Sequence, residues 1–268
     1  MADILELPPP APGLVLPYGR HPLQFGELRL PRGPGPHPVA VAIHGGFWRA
    51  RYSLEHLGHF CAALADAGIA TWSLEYRRIG HEGGGVPGTL LDVARGADHV
   101  RRVAREHALD LSRVAAVGHS AGGHLALWLA GRARLPPASA LWTADPLALR
   151  GVVSLAGVSD LRSAFDLRLG DGVVEAFAGG PPAQWPDRYA EASPRELLPS
   201  GVRTFLVHGQ DDDTVPASMS AAFAQAARAA GDDTALVLLQ DTGHFELIDP
   251  RAPQWADILR CVRAAVGT

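Results

Sequence analysis

"AVGHSAGGHLALW", residues 116–128, carries an apolar run into a second apolar stretch through Gly118-His119-Ser120-Ala121-Gly122. A serine between two glycines arises easily by chance in a chain with 30 glycines, so its surroundings decide what it means. Upstream, "RVAAVGHS" (113–120) reads as a buried strand; downstream, "AGGHLALWLAGR" (121–132) reads as a helix. A strand that turns straight into a helix projects Ser120 from the sheet, with the helix N-terminus behind it favouring negative charge. The flanking glycines are expected to let the backbone turn sharply. The competing reading is an ordinary strand-to-helix turn.

The same alternation extends along the chain. "PVAVAIHGG" (38–46), "IATWSLEYR" (69–77), "RGVVSLAGV" (150–158), "VRTFLVHG" (202–209) and "TALVLLQ" (234–240) read as strands. Between them, 53–68, 88–108, 217–231 and 253–267 have helical spacing. Strands alternating with helices predict an α/β fold with a mostly parallel central sheet flanked by helices on both faces. Residues 1–38, rich in Pro and Gly, are expected to wrap the surface with one short strand at "QFGELRL". Residues 159–200 are too long for an ordinary connection and read as a small helical cap within a single domain spanning 1–268.

Composition narrows the chemistry. Of 268 residues, 47% are hydrophobic and 19% charged, as in an ordered globular protein. Net charge is −4, so nothing points to nucleic acid. No apolar run is long enough to span a bilayer, and the start "MADILELPPPAPG" has no basic n-region or apolar h-region, so a cytoplasmic location is the expectation. Cys61 and Cys261 read as buried thiols rather than a disulfide. The chain has no lysine and no asparagine. Schiff-base lysines, Walker-A lysines and Cys-His-Asn proteases are therefore ruled out.

A serine hydroxyl needs a base, and the base needs a carboxylate to hold its tautomer. "QDTGHFELIDP" puts His244 in a loop just after the last strand, a position that raises it above the other eleven histidines. "VHGQDDDTVP" (207–216) ends a strand with Asp211, Asp212 and Asp213, of which at most one orients the base. A tetrahedral oxyanion needs preorganised donors. The loop "IHGGFW" (43–48) leaves the first strongly apolar strand, and the amides of Gly46 and Phe47, with that of Ala121, are assigned to this task. His44 reads as a loop brace and "EYR" (75–77) as structural. Trp48 is either a pocket wall or a core residue. His56 and His59, three apart in "HLGH", read as a solvated helix face; no metal site and no cofactor is expected.

In these motifs the chain resembles the α/β-hydrolase superfamily from about residue 38 to residue 250. "HGGFW" with "GHSAGGHLA" is similar to the group of kynurenine formamidases and small esterases; Phe47 stands where the hormone-sensitive-lipase group has a third glycine, and His119 where that group has Asp. The resemblance places the acid on Asp212, with Val215 and Pro216 closing the pattern. It implies a Ser120–His244–Asp212 hydrolase acting through an acyl-enzyme on a small-molecule ester. The alternatives are a formamide such as N-formylkynurenine, a peptide, or a non-catalytic small-molecule receptor on the same fold. Trp48, His119, Phe165, Phe177, Trp185 and Phe245 are the expected substrate contacts, the cap supplying Phe165, Phe177 and Trp185. Oligomeric state is not fixed by sequence; a homodimer is compatible with it.

Overall fold

The structure is a computed structural model and describes residues 4–268. Eight strands form one sheet in the order β1-β2-β4-β3-β5-β6-β7-β8. They are β1 (Leu14–Pro17), β2 (Phe25–Arg29), β3 (His37–Ile43), β4 (Ala70–Leu74), β5 (Leu109–His119), β6 (Gly151–Leu155), β7 (Arg203–Gly209) and β8 (Thr234–Leu239). β1 and β2 pair antiparallel, as do β2 and β4; all the remaining pairs are parallel. Strand β1 was not anticipated. It is a largely exposed edge strand ending in proline, so it carries no buried alternation to read.

The alternation of side chains sorts the strand residues into two cores. Val39, Val41 and Ile43 of β3 face one layer with Trp72, Leu74, Val114, Ala116 and Val152. Ala40 and Ala42 face the other with Ala115, Val117, Val153, Leu155 and Val207. The first layer packs against α2 (Gly88–Asp98), α3 (Val100–His107) and α4 (Ala121–Gly131), and the second against α1 (Gly58–Asp66) and α9 (Trp255–Val266). Burial on both faces is why the central strands read as continuous apolar runs. Each fully buried Val, Leu or Ile contributes about 1.5–3 kcal/mol.

Two expected helices differ in detail. The stretch 88–108 is divided at His99, whose carbonyl is shared by the amides of Arg102 and Val103. The stretch 53–68 begins as a 3-10 turn, Leu54–Leu57, before α1. Cys61 and Cys261 are both buried and unpaired. Between β6 and β7 lie three short helices, α5 (Leu161–Asp166), α6 (Leu169–Ala178) and α7 (Pro186–Ala192). Asp160 caps α5 by accepting from the amides of Arg162 and Ser163, and proline opens α7. Residues 170–172, at the start of α6, have left-handed dihedrals.

The β5–α4 junction is tightly packed. Ser120 has φ 56 and ψ −122, outside the regions an L-residue normally occupies. The adjoining glycines do not have positive φ; they are needed for room. A Cβ on Gly118 would lie 2.0 Å from the Gly122 carbonyl oxygen, and one on Gly122 would lie 1.9 Å from the Ile43 carbonyl oxygen. The expected role of these glycines is thus corrected: the serine takes the strained angles, and the glycines let three backbone segments close around it.

Gly118→Ala is expected to cost at least the top of the ~1–3 kcal/mol range for overpacking, because its clash is with main chain. Gly68→Ala, at φ +91 in open space, should cost only about 1–2 kcal/mol for the left-handed conformation. Urea unfolding of the two variants measures the difference.

Candidate active site

Ser120 stands at the carboxyl end of β5, 3% exposed, with its amide donating to the Leu155 carbonyl at 2.8 Å. Its own carbonyl accepts from the His124 amide at 3.1 Å, which starts α4. The backbone strain costs roughly 1–3 kcal/mol and is held in place by these bonds and by the glycine contacts.

His244 sits in the loop after β8 and donates from Nδ1 to Asp212 Oδ2 at 2.7 Å. The Asp212 side chain is fully buried, and its Oδ1 accepts from the amides of Thr214 and Val215 at 2.9 and 2.8 Å. His208 Nε2 lies 3.3 Å from Oδ2. Burial works against ionisation of Asp212, but hydrogen bonds from His208 and His244, the nearby His244 charge and the Val215 amide outweigh it and hold the carboxyl well below the usual range. Asp211 and Asp213 are exposed. The register of the loop therefore turns one of three adjacent carboxylates toward the histidine.

The loop after β3 has three successive positive φ angles, at Gly46 (102), Phe47 (52) and Trp48 (53). Among the described residues, none of the hydrogen bonds outside the helices and strands uses the amide of Gly46, Phe47 or Ala121. Gly45 is needed for closeness: a Cβ there would lie 2.8 Å from the His119 carbonyl oxygen and 3.0 Å from Ser120 Cβ. His44 braces this loop from beneath. Its Nδ1 lies 2.8 Å from the Gly45 oxygen, its ring stacks on Tyr76 at 4.4 Å, and Tyr76 donates to the His44 carbonyl at 2.7 Å. Burial opposes ionisation of Glu75, yet His44, Arg78 and the Tyr76 amide together lower its pKa. Glu75, of "EYR", thus anchors the brace.

A cavity of about 40 Å³ brings Ser120 and His244 together with Gly46, Phe47, Tyr52, His56, Thr214 and Phe245. Phe245 is the one expected substrate contact in this lining. Trp48 is fully buried and stacks on Phe177 at 4.4 Å, with His124 edge-on at 5.2 Å, so both aromatics belong to the hydrophobic core. Phe165 packs edge-on against Tyr189, and Trp185 lies under the Arg188 guanidinium. His119 is fully buried behind His244. None of these five expected contacts lines this cavity.

Sequence reasoning missed Tyr52, His56, Thr214 and His208. His208 lies four residues before Asp212, at the end of β7, and that spacing was the available signal. His56 was read as part of a solvated face with His59. In the 3-10 turn it points inward and meets His119, whereas His59 reaches the Pro8 carbonyl. No group of three or more His, Cys, Asp or Glu residues among those described could hold a metal, and no described helix is long and apolar enough to cross a membrane.

Residues 28–227 match the BD-FAE family model. The chain belongs to the BD-FAE family. It is 25% identical over 252 residues to a probable isoprenylcysteine alpha-carbonyl methylesterase of Oryza sativa, covering 86% of this chain and 57% of the rice protein. It is 26% identical over 200 residues to the esterase LipQ of Mycobacterium tuberculosis, covering 74% of this chain and 47% of that protein. The chain thus spans about half the length of these curated relatives. Among solved structures, the propionate-bound esterase Est2 of Thermogutta terrifontis superposes with a TM-score of 0.76 at 22% identity, covering 95% of this chain and 93% of its own. Esterase B of Lactobacillus rhamnosis superposes at 0.80 and 19% identity, covering 94% of this chain and 85% of its own. These likenesses establish the α/β-hydrolase fold for this family member.

The depressed Asp212 carboxyl has a consequence for acid stability. Ionised Asp212 stabilises the fold above the unfolded carboxylate value of about 3.9, and this contribution is lost as pH falls through the lower folded value. Asp212→Asn is expected to be less stable than wild type at neutral pH and to lose less on acidification below about pH 4. Urea midpoints at both pH values test this.

Proposed function

We propose that the chain is a serine hydrolase that cleaves a small carboxylic ester through an acyl-enzyme and needs no cofactor. The observation that carries the reading is the 2.7 Å bond between His244 Nδ1 and buried Asp212, with His244 and Ser120 on the wall of one small cavity. The Asp212 bond keeps the His244 proton on Nδ1 and leaves Nε2 as the basic nitrogen. Ser120 Oγ attacks the ester carbonyl while His244 Nε2 takes its proton. The amides of Gly46, Phe47 and Ala121 hold the oxyanion, aided by the N-terminus of α4. Collapse breaks the C–O bond, and His244 returns the proton to the departing alcohol. Water, activated by the same histidine, then releases the acid. The names of the curated relatives, a methylesterase and an esterase, favour an ester over the formamide that the "HGGFW" resemblance suggests.

The acyl group is short. The cavity beside Ser120 is small, about 40 Å³, which favours a short acyl group. Residues 159–200 act as a cap seated on the oxyanion loop. Arg49 donates to the Gly170 carbonyl at 2.5 Å, and a Cβ on Gly170 would lie 2.8 Å from the Phe47 ring. The cap thus bears on the loop whose amides face the reaction, instead of lending its own aromatics to the pocket.

Ser120→Ala is expected to lower turnover by roughly 10³-fold or more with the fold intact, since the three groups act as a unit. Asp212→Ala should cost far more than Asp211→Ala or Asp213→Ala. A screen with p-nitrophenyl esters, N-formylkynurenine and aminoacyl amides, together with phosphonate labelling, tests both. Labelling at another residue, or equal mild losses at all three aspartates, defeats the assignment.

Acyl preference should decline stepwise from acetyl upward, each methylene being worth about 1–3 kcal/mol. Tyr52→Ala, which opens the cavity wall, should flatten that decline; Trp185→Ala should leave it unchanged. Chain-length profiles of kcat/KM for the two variants decide whether the cavity or the cap aromatics set the limit.

A further inference from the structure

His56 and His119 take no part in the proton transfer described above, yet both are placed against its machinery. His119 Nε2 lies 2.9 Å from the main-chain oxygen of His244, and His119 Nδ1 lies 2.8 Å from His56 Nε2. A carbonyl oxygen only accepts, so His119 carries its proton on Nε2 and presents a lone pair at Nδ1. His56 must then donate from Nε2, which leaves its own Nδ1 bare. That nitrogen is buried and has no hydrogen-bond partner. The donors run one way, from His56 through His119 into the backbone of His244.

We propose that His56 and His119 are positioning residues, a neutral two-histidine prop that fixes the main chain of His244 and so aims its ring at the cavity shared with Ser120. The proposal rests on the reading of Ser120 and His244 as nucleophile and base. Asp212 holds the His244 ring at one atom, Nδ1, and a ring held at one atom still swings with its backbone. His244 stands in a loop between β8 and the 3-10 turn Glu246–Ile248, so no strand ladder holds its carbonyl. The His119 bond does.

Charge reinforces the geometry. The His119 and His244 rings are 4.5 Å apart, so a proton on His119 would set a second cation beside the base as it becomes charged. Burial first, then His244 and His56, hold His119 well below the ordinary histidine value, against the opposing pull of the His244 carbonyl and Asp212. Burial first, then His44 and His244, bring His56 down to about 3. Tyr52, edge-on to His56 at 6.5 Å, completes the cavity side of the pair. Both rings therefore stay neutral while His244 changes charge.

The test compares His56→Leu, which removes the donor, with His56→Gln, whose amide can donate in its place. On the shortest ester hydrolysed, His56→Leu is expected to lower kcat about tenfold with KM changed by no more than about twofold, and His56→Gln to recover most of the loss. A variant-free readout accompanies this: ¹⁵N spectra of the wild-type imidazoles should find both rings neutral, with the proton on Nε2, from roughly pH 5 to 8. Wild-type kcat in His56→Leu, equal impairment of the two variants, or either ring titrating in that range or protonated on Nδ1 overturns the prop. A wild-type chain that hydrolyses neither ester nor amide defeats the hydrolase reading, whereas the spectra judge the prop on the folded chain alone.

Discussion

The close approach of three backbones at Ser120 is the constraint on which the rest of the site depends. Ser120 holds φ 56 because β5 ends there, α4 begins one residue later, and the loop after β3 crosses against both. There is no space for a Cβ at Gly118, Gly122 or Gly45, so these segments meet main chain to main chain. That contact brings Ser120 and the β3-loop residues Gly46 and Phe47 onto the wall of one small cavity. A strained residue persists only when its surroundings overdetermine it. Here they do so through parallel strands on both sides of β5 and the amide bond from Ser120 to Leu155.

Around this knot, polar groups are buried in pairs of opposite tendency. Asp212 is kept ionised by histidines and main-chain amides, whereas His119 and His56 are kept neutral chiefly by burial. His208 shows how thoroughly the carboxylate is enclosed. Its Nδ1 meets Ser220 Oγ at 2.7 Å and its Nε2 meets the Val215 carbonyl at 2.8 Å, so it ties the acid loop to β7 and α8 (Ala217–Ala229) at once. The same device recurs under the loop after β3, where Glu75 collects His44, Arg78 and the Leu54 amide. Each buried charge has partners, and the unpaired nitrogen of His56 is the price at the end of one such chain.

Much of this was legible in local pattern. Continuous apolar strands such as "PVAVAI" announce a sheet buried on both faces, and a serine opening a helix after such a strand narrows the chemistry by itself. Several of the residues that escaped notice depend on partners far away in sequence. His56 finds His119 across 63 positions, and Phe177 covers Trp48 rather than the cavity. Aromatic content in the 159–200 segment said that the segment would pack, not against what. Strand β1 escaped because an exposed edge strand needs no apolar face.

From sequence alone came the α/β alternation, Ser120 at a strand-to-helix turn, His244 after the last strand, and the trio of aspartates with Asp212 singled out by motif. These depend on short-range periodicity and on chain order, which primary structure contains. Only the tertiary structure decided how the chosen carboxylate is buried and bonded, which glycines are there for want of room, and which aromatic side chains line the cavity. Those outcomes turn on tenths of an ångström between segments brought together by packing, and a hydrogen bond or a steric contact is lost over such distances. Local pattern selects the elements; the fit between them selects the site.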